Sequence, residues 1–349
     1  MSFIIPDTFL NLHRHKAIRK HILTRTKILE LALFPSSFFP GVNFGYANLS
    51  IITLQKCNNK KECLDNSFKV INEFTNVEQL TNPTTNKLNT LLLVQKTIFE
   101  NPDYAFFIAK NPKIIETINN TKLKIRDIAN CVTGFYSGND KKYLQVISFE
   151  LKNGKNYDLV NVNAINKDYK NNSDILNGIE GDKYFLPIVK GGSTKYLKPE
   201  WWFMNWSRKA VQHYKTDKKA RFQNSQFYFK LGIGIPMISS SSITASLIEN
   251  KLFDQSIVGV FPKDEKLTYY LLAFFNSPTC DKLIRTINPS ANNPANYIKK
   301  IPFIVPDKDT LEVITNRITE IITIIKENKN FDEKIEIQIN NHFKSIYGF

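Results

Sequence analysis

The stretch ILELALFPSSFFPGVNFGYANLSIITLQK, residues 28–56, decides how the first part of this chain is read. Its two ends, ILELALF (28–34) and NLSIITLQK (48–56), are apolar runs of strand length. The second is apolar enough to predict burial on both faces, as inside an α/β sheet covered by helices. Between them lies the Phe-rich loop PSSFFPGVNFGYA (35–47). Working outward, Ile4 and Ile5 end a short strand, and Pro6-Asp7-Thr8 is a turn into a helix expected to run to about Thr26. A strand, a helix and two closing strands over residues 1–57 make the end of an α/β sheet without its beginning.

The rest of the chain changes texture twice. Residues 58–120 read as a connector: 58–90 are polar and rich in Asn, Lys and Thr, and 91–120 are helical in parts with breaks at Pro102 and Pro112. From 121 to 306, short apolar runs alternate with Gly- and Asn-bearing turns, as in VTGFYSGNDKKYLQVI (132–147) and KYFLPIVKGG (183–192). That pattern predicts a mixed, β-rich α+β domain. The tail, 307–349, is helical, with Ile314, Ile318, Ile321 and Ile325 on one face. Packing against the chain's own domain is the expected use of that face, and a seam for a partner helix is the alternative.

With 349 residues, 42% hydrophobic and 12% aromatic, the chain has room for two domains and can bury a substantial core. No apolar run approaches the ~20 residues of a membrane span. The N-terminus lacks the charged start and cleavage site of a signal peptide, so a cytoplasmic protein is expected. The four cysteines, Cys57, Cys63, Cys131 and Cys280, are scattered without a Cys-x-x-Cys pair. They read as reduced structural thiols, and no metal site is expected. The net charge of +15 and a pI near 9.4 suit a polyanionic partner, with binding that weakens as salt rises.

The densest chemical feature is KGGSTKYLKPEWWFMNWSRKAVQHYKTDKKARF (190–222), where three Trp and two Tyr are interleaved with cations. Cations position a phosphate backbone, while amides read base edges. Trp206 is expected in the core, and Lys190, Lys195, Lys198 and Arg208 are expected to face the polyanion. Gly191 and Gly192 would let the backbone approach a phosphate closely. Asn139, Asn205 and Asn292 are the candidate base or shape readers. ISSSSITAS (238–246) and NPSANNPANYIKK (288–300) add hydroxyls and a turn-rich loop. LGIGIP and GGSTK lack phosphate-loop spacing, and Asp254 with Asp264-Glu265-Lys266 is only a loose echo of a metal-dependent nuclease. The sequence offers no catalytic centre.

Taken in order, several of these segments resemble one family. FIIPDTFLNLHRHKAIRKHIL (3–23) followed by residues 28–56 is similar to the closing part of the catalytic domain in adenine-specific DNA methyltransferases of restriction–modification systems. The likeness is to the TaqI-like group with a C-terminal target-recognition domain. IRDIANCVTGFYSGNDKKYL (125–144, with Gly134, Gly138 and Asn139), PIVKGGSTKYLKPEWWFMNW (187–206), YYLLAFFNSP (269–278) and NYIKKIPFIVP (296–306) look like that domain. The resemblance implies the end of a Rossmann-like methyltransferase sheet followed by a target-recognition domain. It further implies that the chain binds double-stranded DNA and presents one adenine for flipping and methylation by an upstream catalytic part. S-adenosylmethionine would serve the complete enzyme and not be bound by this chain alone. The implied partner is a catalytic methyltransferase chain or a missing N-terminal part. A stand-alone DNA-binding specificity subunit is the alternative. In that family an Asn-Pro-Pro-Tyr motif holds the target amino group and precedes this segment. Asn101-Pro102-Asp103-Tyr104 lies downstream of it, on the connector side, and reads as an ordinary turn.

Overall fold

The computed structural model describes residues 1–35, 38, 48–72, 74, 79, 89–167, 172–239 and 242–349. Most of the 35–47 loop, and Ser240 and Ser241 of the serine run, lie outside them. The chain is mixed α/β and divides into two compact units: Met1–Asn120 with Leu283–Ala291, and Thr121–Lys282 with Asn292–Phe349.

Unit 1 is built on one five-stranded sheet. β1 (Ser2–Pro6), β2 (Thr26–Phe34), β3 (Leu49–Lys56), β4 (Ser67–Asn72) and β5 (Asn89–Val94) lie in the order β1-β3-β2-β4-β5. β3 is antiparallel to both neighbours, so β1 and β2 run parallel, linked through helix α1 (Lys16–Arg25). Leu31, Ile52, Phe68 and Val70 bury one face with Ile22 and Leu23 of α1, and Ala32, Phe34, Leu49 and Phe74 bury the other. A sheet with buried residues on both faces is what the apolar 48–56 run predicted.

Two features depart from the sequence reading. The helix expected from Asp7 is interrupted: 3-10 turns at Asp7–Leu10 and His13–His15 precede α1, and Leu12 between them is extended. The cause is Arg19, fully buried, whose Nη1 donates to the carbonyls of Phe9 (2.7 Å) and Leu12 (2.8 Å). Leu12 O also accepts from His15 N–H (3.0 Å), which makes a 3-10 turn in place of an α-helical one. The connector also contributes sheet, because β4 pairs with β2, and β5 pairs with β4. The fully buried Gln95, at the start of α2 (Gln95–Glu100), completes the attachment. Its Oε1 accepts from Ile28 N–H (2.7 Å) and Asn66 Nδ2 (2.9 Å), and its Nε2 donates to the carbonyls of Leu23 and Thr26. These bonds hold the point where β2 bulges between Ile28 and Glu30.

The Asn-Pro-Asp-Tyr turn is a structural clamp. Asn101 is buried and donates to Ala105 O (2.7 Å), and Asp103 and Tyr104 both have φ of 57°. Asp103 O accepts from Nε and Nη2 of Arg19, while its carboxylate pairs with His13 and Lys16. The backbone reversal is held by contacts on every side.

Unit 2 holds two sheets, ordered β13-β9-β10-β7-β8 and β12-β11-β14-β6. The strands are β6 (Ala129–Thr133), β7 (Leu144–Val146), β8 (Asp158–Leu159), β9 (Phe185–Val189), β10 (Trp202–Asn205), β11 (Gly232–Pro236), β12 (Ser246–Ile248), β13 (Leu252–Phe253) and β14 (Ile257–Pro262). Trp206 is fully buried, as expected, with Phe135, Tyr214, Phe222 and Tyr228 around it. Gly134 lets β6 pass over β13: a Cβ there would lie 2.2 Å from Phe253 O.

The tail isoleucines face inward. Helix α3 (Thr268–Asn276) packs on α4 (Lys308–Lys326), and Ile314, Ile318, Ile321 and Ile322 are buried. Ile325, on the same face near the helix end, is half-buried, and Ile322 beside the stripe is buried as well. Helix α5 (Glu333–Tyr347) adds Phe343 and Tyr347, and Tyr347 stacks on Phe274. The isoleucine stripe is covered from within unit 2.

Candidate nucleic-acid interface

The basic block folds around one amphipathic helix, α6 (Arg208–Thr216). Ser207 caps it, its Oγ accepting from Ala210 N–H, and Ala210, Val211 and Tyr214 are its buried stripe. Three-residue and four-residue spacing then turns Arg208, Gln212 and Lys215 to the opposite, exposed face, with Lys209 beside them. The chain continues into a tight turn over 217–221. Asp217 Oδ1 accepts from Lys219 N–H (2.7 Å) and Ala220 N–H (3.1 Å), which holds its carboxyl below the usual range. Arg221 Nη1 closes the turn on the carbonyls of Lys218, Lys219 and Ala220.

This turn pairs with the loop after β6. Tyr136 and Arg221 exchange backbone hydrogen bonds, and Gly138 (φ 80°) comes so close that a Cβ would lie 2.9 Å from Ala220 N. Asn139, Lys141 and Lys142 follow on that loop and are exposed. Two segments distant in sequence thereby present Lys141, Lys142, Lys218 and Lys219 together. Among the described residues, Lys209, Lys215, Lys218 and Lys219 are in no ion pair with a carboxylate.

The cations singled out from sequence are placed differently. Lys190, expected to face a polyanion, is largely buried, with Nζ 2.8 Å from Asp140 Oδ2 and 3.5 Å from Asp254 Oδ2. Burial pulls its pKa down, but the two carboxylates outweigh that and leave it raised. Lys195 is tied to Glu336, whose carboxylate also accepts from the buried Tyr196 hydroxyl. Lys198 is buried and donates to Lys190 O (2.7 Å). Arg208 is exposed and pairs with Glu180 at the surface. Lys190 and Lys198 therefore converge with Gly191, whose N–H donates to Ser256 Oγ, while Lys195 and Arg208 lie with other partners. Gly191 and Gly192 are exposed, and Gly192 has φ 117° with open space where a Cβ would be.

The candidate readers also separate. Asn139 is exposed beside the basic turn. Asn205 Oδ1 accepts from Ser207 N–H, so its side chain shapes the entry to α6. Asn292 is exposed on a backbone bridge to Ile238. Gln212, Lys215, Lys218 and Lys219 are not among the residues singled out from sequence. The 3.6-residue period of 208–216 is the signal that picks out Gln212 and Lys215, whereas Lys218 and Lys219 are placed by the turn at Asp217.

No cluster of three His, Cys, Asp or Glu is placed to hold a metal ion among the described residues. Asp254 is engaged by Lys190, and Asp264 caps the turn Glu265–Leu267. All four cysteines are buried thiols, and burial pushes Cys131 up to about 12. No helix among the described residues is long and apolar enough to cross a membrane.

No protein-family model and no curated protein sequence matches this chain. Among solved structures, the chain is similar over 100% of its length to the type IIL restriction-modification enzyme MmeI, solved in complex with DNA, with TM-score 0.56 and 13% identity. It is also similar to the type IIG restriction endonuclease BpuSI (91% of this chain, TM-score 0.37, 14% identity). A third match is the ATP-dependent type ISP restriction-modification enzyme LlaBIII bound to DNA (91%, 0.44, 11%). The chain spans 47%, 42% and 25% of MmeI, BpuSI and LlaBIII respectively, less than half of each. At these identities the likeness to MmeI is one of fold, and this chain has the fold of a part of that enzyme.

Proposed function

We propose that this chain is the DNA-recognition part of a restriction–modification enzyme whose modification is methylation of adenine N6. The observation that carries the proposal is the fold likeness to MmeI over the whole chain, an enzyme solved with DNA. The net charge of +15 and the exposed Lys209, Lys215, Lys218 and Lys219, which are in no ion pair among the described residues, support it, because a polyanion supplies the counter-charge. In this reading Arg208, Lys215, Lys218 and Lys219 hold phosphates, and Gln212 and Asn139 reach base edges between them. Adenine as the target rests on the resemblance of residues 3–56 to the methyltransferase closing segment.

Unit 1 then supports a catalytic part carried elsewhere. β1 is a sheet edge paired only with β3 among the described strands, and Met1, Phe3 and Ile4 along it are exposed. A parallel strand from the catalytic part would cover them. S-adenosylmethionine, the methyl donor this reading implies, does not fit the residues after β1. That strand runs into Pro6 and a 3-10 turn, not into a glycine turn. In this reading the cofactor belongs to the catalytic part.

The test is selection of binding sites from a random duplex pool by the purified chain at about 100 mM salt. Enrichment of one short adenine-containing site is expected. Retention of all sequences alike, or enrichment of a site without adenine, overturns the proposal.

A further inference from the structure

A cavity of about 500 Å³ in unit 2 is lined by Lys167, Lys198, Lys251, Lys326, Glu200 and Glu249. Glu200 pairs with Lys251 at 3.3 Å, and Glu249 lies 3.8 Å from Lys326. That leaves Lys198 and Lys167 without a carboxylate among the described residues. Lys198 is 8% exposed, and the partner its ammonium has is the backbone carbonyl of Lys190. Two of its three N–H donors are left over. The neighbouring Lys190 cannot share a carboxylate with it, since Asp140 and Asp254 are held on Lys190 itself.

The cavity wall is also strained. Phe229 lines it with φ 62°, a conformation a bulky side chain rarely adopts. Its N–H donates to Lys251 O, which fixes it beside the second lysine of the floor. Strain kept beside an uncompensated buried charge marks a site built for a ligand. We propose that this cavity binds a phosphate group, with Lys198 at its floor and Lys167 at its rim supplying the charge, and Leu197 and Phe229 covering what the phosphate carries. Burial without a counter-ion pushes the Lys198 ammonium down to about 8, and a bound dianion would reverse that. The phosphate comes either from a free phosphate compound or from a nucleic-acid backbone.

Inorganic phosphate is the probe, added to the full chain at constant ionic strength, and thermal unfolding of unit 2 is followed by Trp fluorescence. All three Trp, at 201, 202 and 206, lie in that unit. Phosphate is expected to raise the midpoint over chloride. Lys167→Ala, an exposed change that leaves the fold intact, should weaken the apparent phosphate constant roughly tenfold, and Lys198→Met should abolish the effect. Lys308→Ala, an exposed change outside both the cavity and the basic face, should leave it unchanged. If inorganic phosphate has no effect, the salt slope of duplex binding decides. A slope smaller by about one in Lys167→Ala assigns the phosphate to the nucleic-acid backbone. No phosphate effect and an unchanged slope overturn the site. Phosphate protection in a chain that binds no DNA would retain the site and remove the proposed function instead.

Discussion

Replacing Gln95 with leucine tests whether residues 58–120 belong to the sheet of unit 1. Leucine keeps much of the volume and removes both ends of the amide. Gln95 is fully buried, and its four hydrogen bonds reach Ile28 N–H, Asn66 Nδ2 and the carbonyls of Leu23 and Thr26. Asn66 keeps its second acceptor, Ile28 O at 2.7 Å, so it is not stranded. The Ile28 N–H and the two carbonyls lose a partner beside a bulge, where the ladder offers no replacement. At about 1 to 2 kcal/mol for each stranded buried group, the loss is about 3 to 6 kcal/mol. Hydrogen exchange of a peptide covering 26–34 reads it directly. Opening should become roughly a hundred- to ten-thousandfold more frequent, at about 1.4 kcal/mol per tenfold. Lys96→Ala, exposed on the same helix, is the control and should change stability by less than about 0.5 kcal/mol. Exchange over 26–34 unchanged in Gln95→Leu would refute the reasoning and return the segment to the role of a connector.

Three further outcomes are expected. Combined Lys215→Ala, Lys218→Ala and Lys219→Ala should lower the salt slope of duplex binding by about 2.7, at about 0.9 per phosphate contact. A slope equal to that of the parent would remove these lysines from the interface. Gly134→Ala drives a Cβ to 2.2 Å from Phe253 O, so the stability of unit 2 read by Trp fluorescence in urea should fall by about 2 to 4 kcal/mol; a fall below about 0.5 kcal/mol contradicts the close strand crossing. Asp7 is buried, and desolvation raises its carboxyl from 3.8 to about 6 despite the hydrogen bond from Asn48. A raised acid favours the protonated fold, so its contribution is present in acid and is lost as pH rises from about 4 to about 6. Asp7→Asn should remove about 3 kcal/mol of that dependence, and a urea midpoint for unit 1 with the same pH profile in both proteins would exclude it.

What the sequence determined by itself was local and periodic. The runs 28–34 and 48–56 had to be buried strands because few polar atoms interrupt them. Trp206 was expected in the core, and it is fully buried there. Ile314, Ile318 and Ile321 marked an inward helix face because their spacing follows the turn of a helix. The tertiary structure decided which charges meet. Lys190 reads as a surface cation until Asp140, 50 positions before it, and Asp254, 64 after it, are folded against it. Lys195 depends in the same way on Glu336 in the last helix, and the helix expected from Asp7 breaks where Arg19 binds the carbonyls of Phe9 and Leu12. The polar stretch around Ser67–Asn72 became sheet because β2 left an edge and Gln95 satisfied its bulge. Periodicity is written in neighbouring residues, so it can be read from the chain alone. The pairing of a buried charge depends on a partner brought near only by folding, and short-range pattern carries no record of it.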